Sequence, residues 1–128
     1  MKKKTSGEKA RGRQPKNNIR PAGAEQKARI LKALAHPSRI TIFEALTKGE
    51  MTVSEIADML DAKDAITSRH LAVMRSAGLV EARKQGLNVY YSIKLPCLVS
   101  MLSCLEDGVC MMADEQHEMA ESLRSKTR

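Results

Sequence analysis

From the third decade of the chain onward, apolar residues recur at three- and four-residue spacing, and the breaks in that rhythm divide it into helices. Ala28, Ile30, Leu31, Leu34 and Ala35 form one stripe, predicting a first helix from Ala24. Pro37 ends it and opens the next, because proline breaks a helix interior yet fits its first turn. The second helix is predicted from Ser38 to Leu46 with Ile40, Phe43 and Leu46 inward, closed by Gly49. Thr52 and Glu55 have the S/T-x-x-E spacing of a capping box, so a third helix should run from Val53 to Leu60 and bury Ile56, Met59 and Leu60. After Asp61 and Ala62 a fourth is predicted from Asp64 to Ala77, burying Ile66, Thr67, His70, Leu71 and Met74. Gly78 then serves as a left-handed cap, with Leu79 beyond it.

The rhythm next changes to alternation. Val89, Tyr91 and Ile93 share one face and Tyr90 and Ser92 the other, and Gly86 separates two such runs, which predicts a hairpin. Arg83 and Lys84 make its near edge basic. From Pro96 to about Arg124 the helical period returns with Leu98, Met101, Leu102, Leu105, Val109 and Met112, and six acidic residues give this last helix a negative outer face. The fold class expected is mainly α with a small β-hairpin, in the order α1-α2-α3-α4-β-β-α5. Residues 24–124 form one domain, and residues 1–23, with no apolar period and with Gly and Pro among the charges, form a disordered basic tail.

Composition and charge refine this picture. Trp is absent and aromatic residues are 2% of the chain, so aliphatic residues and eight Met must fill the core. The formal charge is +7, but residues 1–21 hold eight basic residues against Glu8 alone, and the rest of the chain balances. Between Ala62 and Lys94, however, six basic residues face two acidic ones. Two short helices joined by a tight turn and followed by a basic hairpin make a DNA-reading module, a winged helix-turn-helix. The fourth helix turns Lys63, Asp64, Ala65, Ser68, Arg69 and Ala72 outward. Arg69 and Ser68 have the donors to read bases, whereas Lys63, Arg83 and Lys84 suit phosphate contacts. His70, nearer the buried side, is expected to be structural.

No apolar run reaches the length of a membrane span and no secretory pattern precedes the domain, so a cytoplasmic protein with no membrane partner is expected. In that compartment Cys97, Cys104 and Cys110 are thiols rather than a disulfide framework. No phosphate loop, nucleophile motif or metal-hydrolase signature is present, so no catalytic residue is assigned and an enzyme is not expected.

The stretch from Ala35 to Arg39 (Ala-x-Pro-x-Arg), the run Ser68-Arg69-His70-Leu71, Ala77-Gly78-Leu79-Val80 and Val89-Tyr90-Tyr91 together resemble the ArsR/SmtB family of bacterial repressors across about residues 24–95. The resemblance implies a homodimer paired through its first and last helices. It also implies an imperfectly palindromic double-stranded operator and release by a metal ion, a metalloid or a redox signal. Two sensor patterns of the family are missing. Thr52 and Ser54 stand where the arsenic box has its two cysteines, and His117 has Ala120 where the zinc pattern needs a glutamate.

The remaining candidate metal ligands are Cys97, Cys104 and Cys110. On a regular helix Cys97 and Cys104 fall within about 20° of each other but roughly 10.5 Å apart along the axis, and Cys110 lies about 120° away. To share one ion they need a departure from helix near Pro96, a bend at Gly108, or thiols from a partner chain. A thiolate-only set suits a soft inducer such as As(III) or Sb(III), with Cd(II) and Zn(II) also possible ligands. Thiol oxidation, persulfide sensing, or no sensing at all with the cysteines as packing residues are the alternatives.

Overall fold

The computed structural model describes residues 21–126, so the basic tail expected over residues 1–23 lies, up to residue 20, outside the described residues. Helix α1 spans Pro21–Leu34 and begins three residues before the expected boundary at Ala24. Helix α2 spans Pro37–Leu46, with Pro37 in its first turn and His36 as N-cap. A two-residue strand β1, Met51–Thr52, leads into α3, Val53–Leu60, and α4 spans Asp64–Ser76. Strands β2, Val80–Gln85, and β3, Asn88–Ile93, form the hairpin, and α5 runs from Cys97 to Lys126. The sheet order is β1-β3-β2, all antiparallel. Strand β1 was not foreseen, since two residues are too short to show a period.

The hairpin register pairs Gln85 with Asn88, which leaves Gly86 and Leu87 as a two-residue loop. Gly86 has φ +65° while Leu87 stays at negative φ, the signs of a type II′ turn that matches strand twist. Gly78, at φ +85°, turns the chain after α4 as expected and delivers a fully buried Leu79.

The core lies between α2, α3, α4 and the inner face of the sheet. Ile42, Phe43, Ile56, Leu71, Met74, Leu79 and Val80 are all buried, joined by Ala33 and Leu34 of α1 and Leu98 and Leu102 of α5. Three expected positions differ. Ile66 and Met59 are 44% and 41% exposed, because the buried stripes run through Thr67, Leu71 and Met74 on α4 and through Ile56 and Ala57 on α3. Ile66 sits next to Thr67 in sequence and is therefore rotated about 100° from it, and Met59, two residues after Ala57, is rotated about 200° from that residue. On α2, Ile42 is fully buried and Ile40 only partly, since this helix packs against both α4 and β3.

Helix α5 is unlike the others. Its buried residues are Leu98 and Leu102, close to its start, and Leu105, Val109, Met112, Met119 and Leu123 continue the same four-and-three spacing in the open. Leu31 of α1 is also half exposed. Among the described residues no helix is long and apolar enough to cross a membrane.

Candidate nucleic-acid interface

Local hydrogen bonds fix the two helices that would meet DNA. The Glu55 N–H donates to Thr52 Oγ1 at 3.3 Å and the Thr52 N–H donates to Glu55 Oε1 at 2.8 Å, so the capping box is closed in both directions. Asp61 then adopts the left-handed conformation, φ 53° and ψ 48°, which ends α3 sharply enough for α4 to start three residues later. Asparagine and aspartate tolerate that conformation better than most side chains. Lys63 is the N-cap of α4 but makes no side-chain cap.

Of the expected DNA-facing residues, Ser68 and Arg69 lie exposed on α4, Arg69 opposite the stripe of Thr67, Leu71 and Met74 and Ser68 about 100° from Thr67 on its flank. Lys63 and Lys84 are exposed as well, on the helix-turn-helix and the hairpin respectively. Arg69 also borders a groove between α1 and α4, together with Arg29, Lys32 and an apolar floor of Ala33, Ala72 and Val73. Asp64 has a structural partner: its Oδ2 accepts from Ser54 Oγ at 3.3 Å, a link between α3 and α4, and its charge sits favourably in the first turn of α4.

Arg83 is committed to the protein. Its Nη2 and Nε donate to the two oxygens of Glu50 at 2.7 and 3.2 Å, its Nη1 donates to Gln85 Oε1 at 2.6 Å, and its guanidinium lies 5.2 Å from the Tyr90 ring centre. The hydrogen bond from Arg83 holds the Glu50 carboxyl below its usual range, and the same bond keeps Arg83 firmly protonated. The hairpin is thereby tied to the segment that enters β1.

His70 is half-buried, as expected for a structural residue. Its Nδ1 accepts from Arg39 Nε at 3.2 Å and its ring lies 4.6 Å from that of His36. His36 caps α2, its Nδ1 accepting from the Ser38 N–H at 3.0 Å. Burial, then the charges of His36, Arg39 and Arg69, hold His70 below the ordinary imidazole value. Arg39, His36 and Glu50 were not singled out from the residues themselves. The Ala-x-Pro-x-Arg stretch that contains the first two was the available signal.

The three thiols are exposed and lie on one unbroken helix. Neither a departure from helix after Cys97 nor a break at Gly108 is present, so one chain does not bring them together. Among the described residues no group of three or more His, Cys, Asp or Glu could hold a metal ion.

The family model described as bacterial regulatory protein, arsR family, matches residues 36–82, from the His36 cap to β2. An uncharacterized HTH-type transcriptional regulator of Mycobacterium tuberculosis, Rv0081, is 32% identical over 100 residues, covering 77% of this chain and 88% of its own. The chain belongs to the ArsR family. Another relative, the HTH-type transcriptional regulator YgaV of Escherichia coli, is 33% identical, covering 70% of this chain and 91% of its own. Among solved structures, the crystal structure of Rv0081 has a TM-score of 0.67 at 30% identity and covers 77% of this chain and 98% of that one. A Mycobacterium bovis protein, described as a homodimeric winged helix-turn-helix DNA-binding domain, has a TM-score of 0.65 at 32% identity, covering 78% and 89%. This ArsR-family chain is accordingly a winged helix-turn-helix transcriptional regulator and not an enzyme.

Proposed function

We propose that the protein is a homodimeric repressor that reads operator DNA with the outer face of α4, braced by the hairpin as a wing, in the cytoplasm. The observation that carries this is the division of α4 itself: Thr67, Leu71 and Met74 lock one side into the core while Ser68 and Arg69 stand exposed away from it. Lys63 and Lys84 flank that face as phosphate contacts. Arg83 and Asp64, counted with them from sequence, serve the site by fixing the wing and the helix pair. The exposed apolar stripe of α5 and Leu31 of α1 give a second subunit its seat, in keeping with the homodimer described for the Mycobacterium bovis neighbour. Among named relatives are a repressor, the SmtB homolog of Synechocystis, and an activator, HlyU of Vibrio cholerae. A binding site overlapping its own promoter would support repression.

Binding to operator and to random DNA at several salt concentrations tests the assignment. Arg69→Ala should lower operator affinity by about 1 to 3 kcal/mol and leave random DNA nearly unaffected. Lys84→Ala should weaken both and flatten the salt dependence. Equal loss on both DNAs for Arg69→Ala would move Arg69 to the phosphate contacts.

The inducer in this reading is thiol-reactive. Arsenite or antimonite is favoured by the thiolate-only set, but with about 10.5 Å of helix between Cys97 and Cys104 it would have to engage thiols of both subunits. The separation and exposure of the three thiols favour, as a second reading, oxidation or persulfidation of each cysteine on its own. Adding each agent to the reduced protein on DNA separates the two. Release by arsenite that is lost in Cys97→Ser and Cys104→Ser supports the first, and release by oxidant or persulfide alone supports the second. Release that survives removal of all three thiols would remove α5 from sensing.

A further inference from the structure

Arg39 stands on α2, outside the reading helix, yet it gathers three elements. Its Nε–H donates to Nδ1 of His70 on α4 at 3.2 Å. Its Nη1 donates to the carbonyl of Ala33 at 3.2 Å and reaches that of Lys32 at 3.5 Å, both in the last turn of α1. The adjoining His36, 4.6 Å from His70 ring to ring, caps α2 through its own Nδ1. An arginine keeps its proton throughout the physiological range, so the lone pair on His70 Nδ1 must be bare and the ring proton must sit on Nε2. His70 immediately follows Ser68 and Arg69, so the bond from Arg39 joins α2 to α4 beside the positions that would face bases.

We propose that Arg39 is a positioning residue for DNA reading, which seats α4 through His70 and makes operator binding weaken on acidification. The inference rests on α4 being the DNA-reading helix. Protonating His70 at Nδ1 abolishes the acceptor and leaves two cations facing each other at 3.2 Å. The groups that act on His70 are His36 from the α1–α2 corner, Arg39 from α2 and Arg69 from its own helix; α1, α3 and β2 are also packed on α4, and no carboxylate of the described residues acts on His70. Its folded value lies below the ordinary 6.5, so the bond is intact above that pH and is lost as the pH falls through the lowered value.

Operator and random DNA binding, measured between about pH 7.5 and pH 5 at fixed salt, test this on the full-length protein. Operator affinity should fall about tenfold more than random-DNA affinity across that range. His70→Asn places an oxygen near the Nδ1 position and cannot titrate, so it should keep operator binding and flatten the pH response. Arg39→Lys keeps the charge but loses the forked donors, and should lower operator affinity about tenfold at neutral pH with random-DNA binding retained. His117→Gln, on α5, should leave the response unchanged.

A pH response unaltered in His70→Asn, or transferred to His117, would overturn the inference, as would wild-type operator affinity in Arg39→Lys. Should either α4 or α2 variant fail to fold, imidazole nitrogen spectroscopy of the wild-type protein decides. A proton on Nε2 of His70 at neutral pH supports the inference and one on Nδ1 overturns it. Absence of DNA binding at every pH would instead overturn the DNA-reading assignment beneath it.

Discussion

Thr67 is fully buried, and its hydroxyl has no hydrogen-bond partner among the described residues. A buried polar atom left unpaired costs about 1 to 3 kcal/mol, so Thr67→Val should be neutral or stabilise the fold by up to about 1 kcal/mol. Thermal unfolding reads this directly, and a clear drop in the midpoint would show that the hydroxyl is satisfied by water. Burial at this position was legible from spacing alone, because Thr67, Leu71 and Met74 repeat at four and three. The partners of Arg83 and of His70 were not. They lie 33 and 31 residues away along the chain, and no local period encodes which distant carboxylate or guanidinium will arrive. Sequence reasoning thus placed Arg83 on a basic edge correctly and could not foresee that Glu50 occupies its fork.

Elements whose limits depend on local chemistry matched expectation best. Helix α3 has the expected bounds because Thr52 and Glu55 close the capping box within its first turn, and Thr52→Ala should cost about 1 kcal/mol of stability in denaturant unfolding. The wing depends on Glu50 and Arg83 instead, and its pH behaviour follows from the lowered carboxyl of Glu50. Since the folded value is depressed, the brace is fully present above the ordinary carboxylate value and is lost as pH falls through the lowered one. Protection of the β2–β3 amides, which is their exchange relative to the intrinsic rate at each pH, should therefore stay constant through neutrality and weaken, with faster exchange than the intact brace allows, only below about pH 4.5. Glu50→Gln should produce that faster exchange at neutral pH. A wing unchanged by the substitution would be held by its strand pairing and Tyr90 alone.

At the scale of the molecule, one chain accounts for the winged domain but leaves the apolar stripe of α5 in water. Its spacing was read from sequence, whereas in the proposed homodimer the face it would meet belongs to another copy and has no signature within one chain. Leu105→Glu with Val109→Glu should give a monomer by sedimentation and abolish tight operator binding, since one subunit meets one half-site. The domain's melting should barely change, because both residues are more than half exposed in the single chain. The confinement of α5's core contacts to its first turns also separates two kinds of order. Its buried residues stop at Leu102, and from Leu105 onward its large apolar side chains are more than half exposed; a helix without buried contacts is only marginally stable in water. Dilution itself should then act as a denaturant for this segment: helicity per chain would fall as concentration drops below the dimer dissociation constant, while the winged domain at its root stays folded.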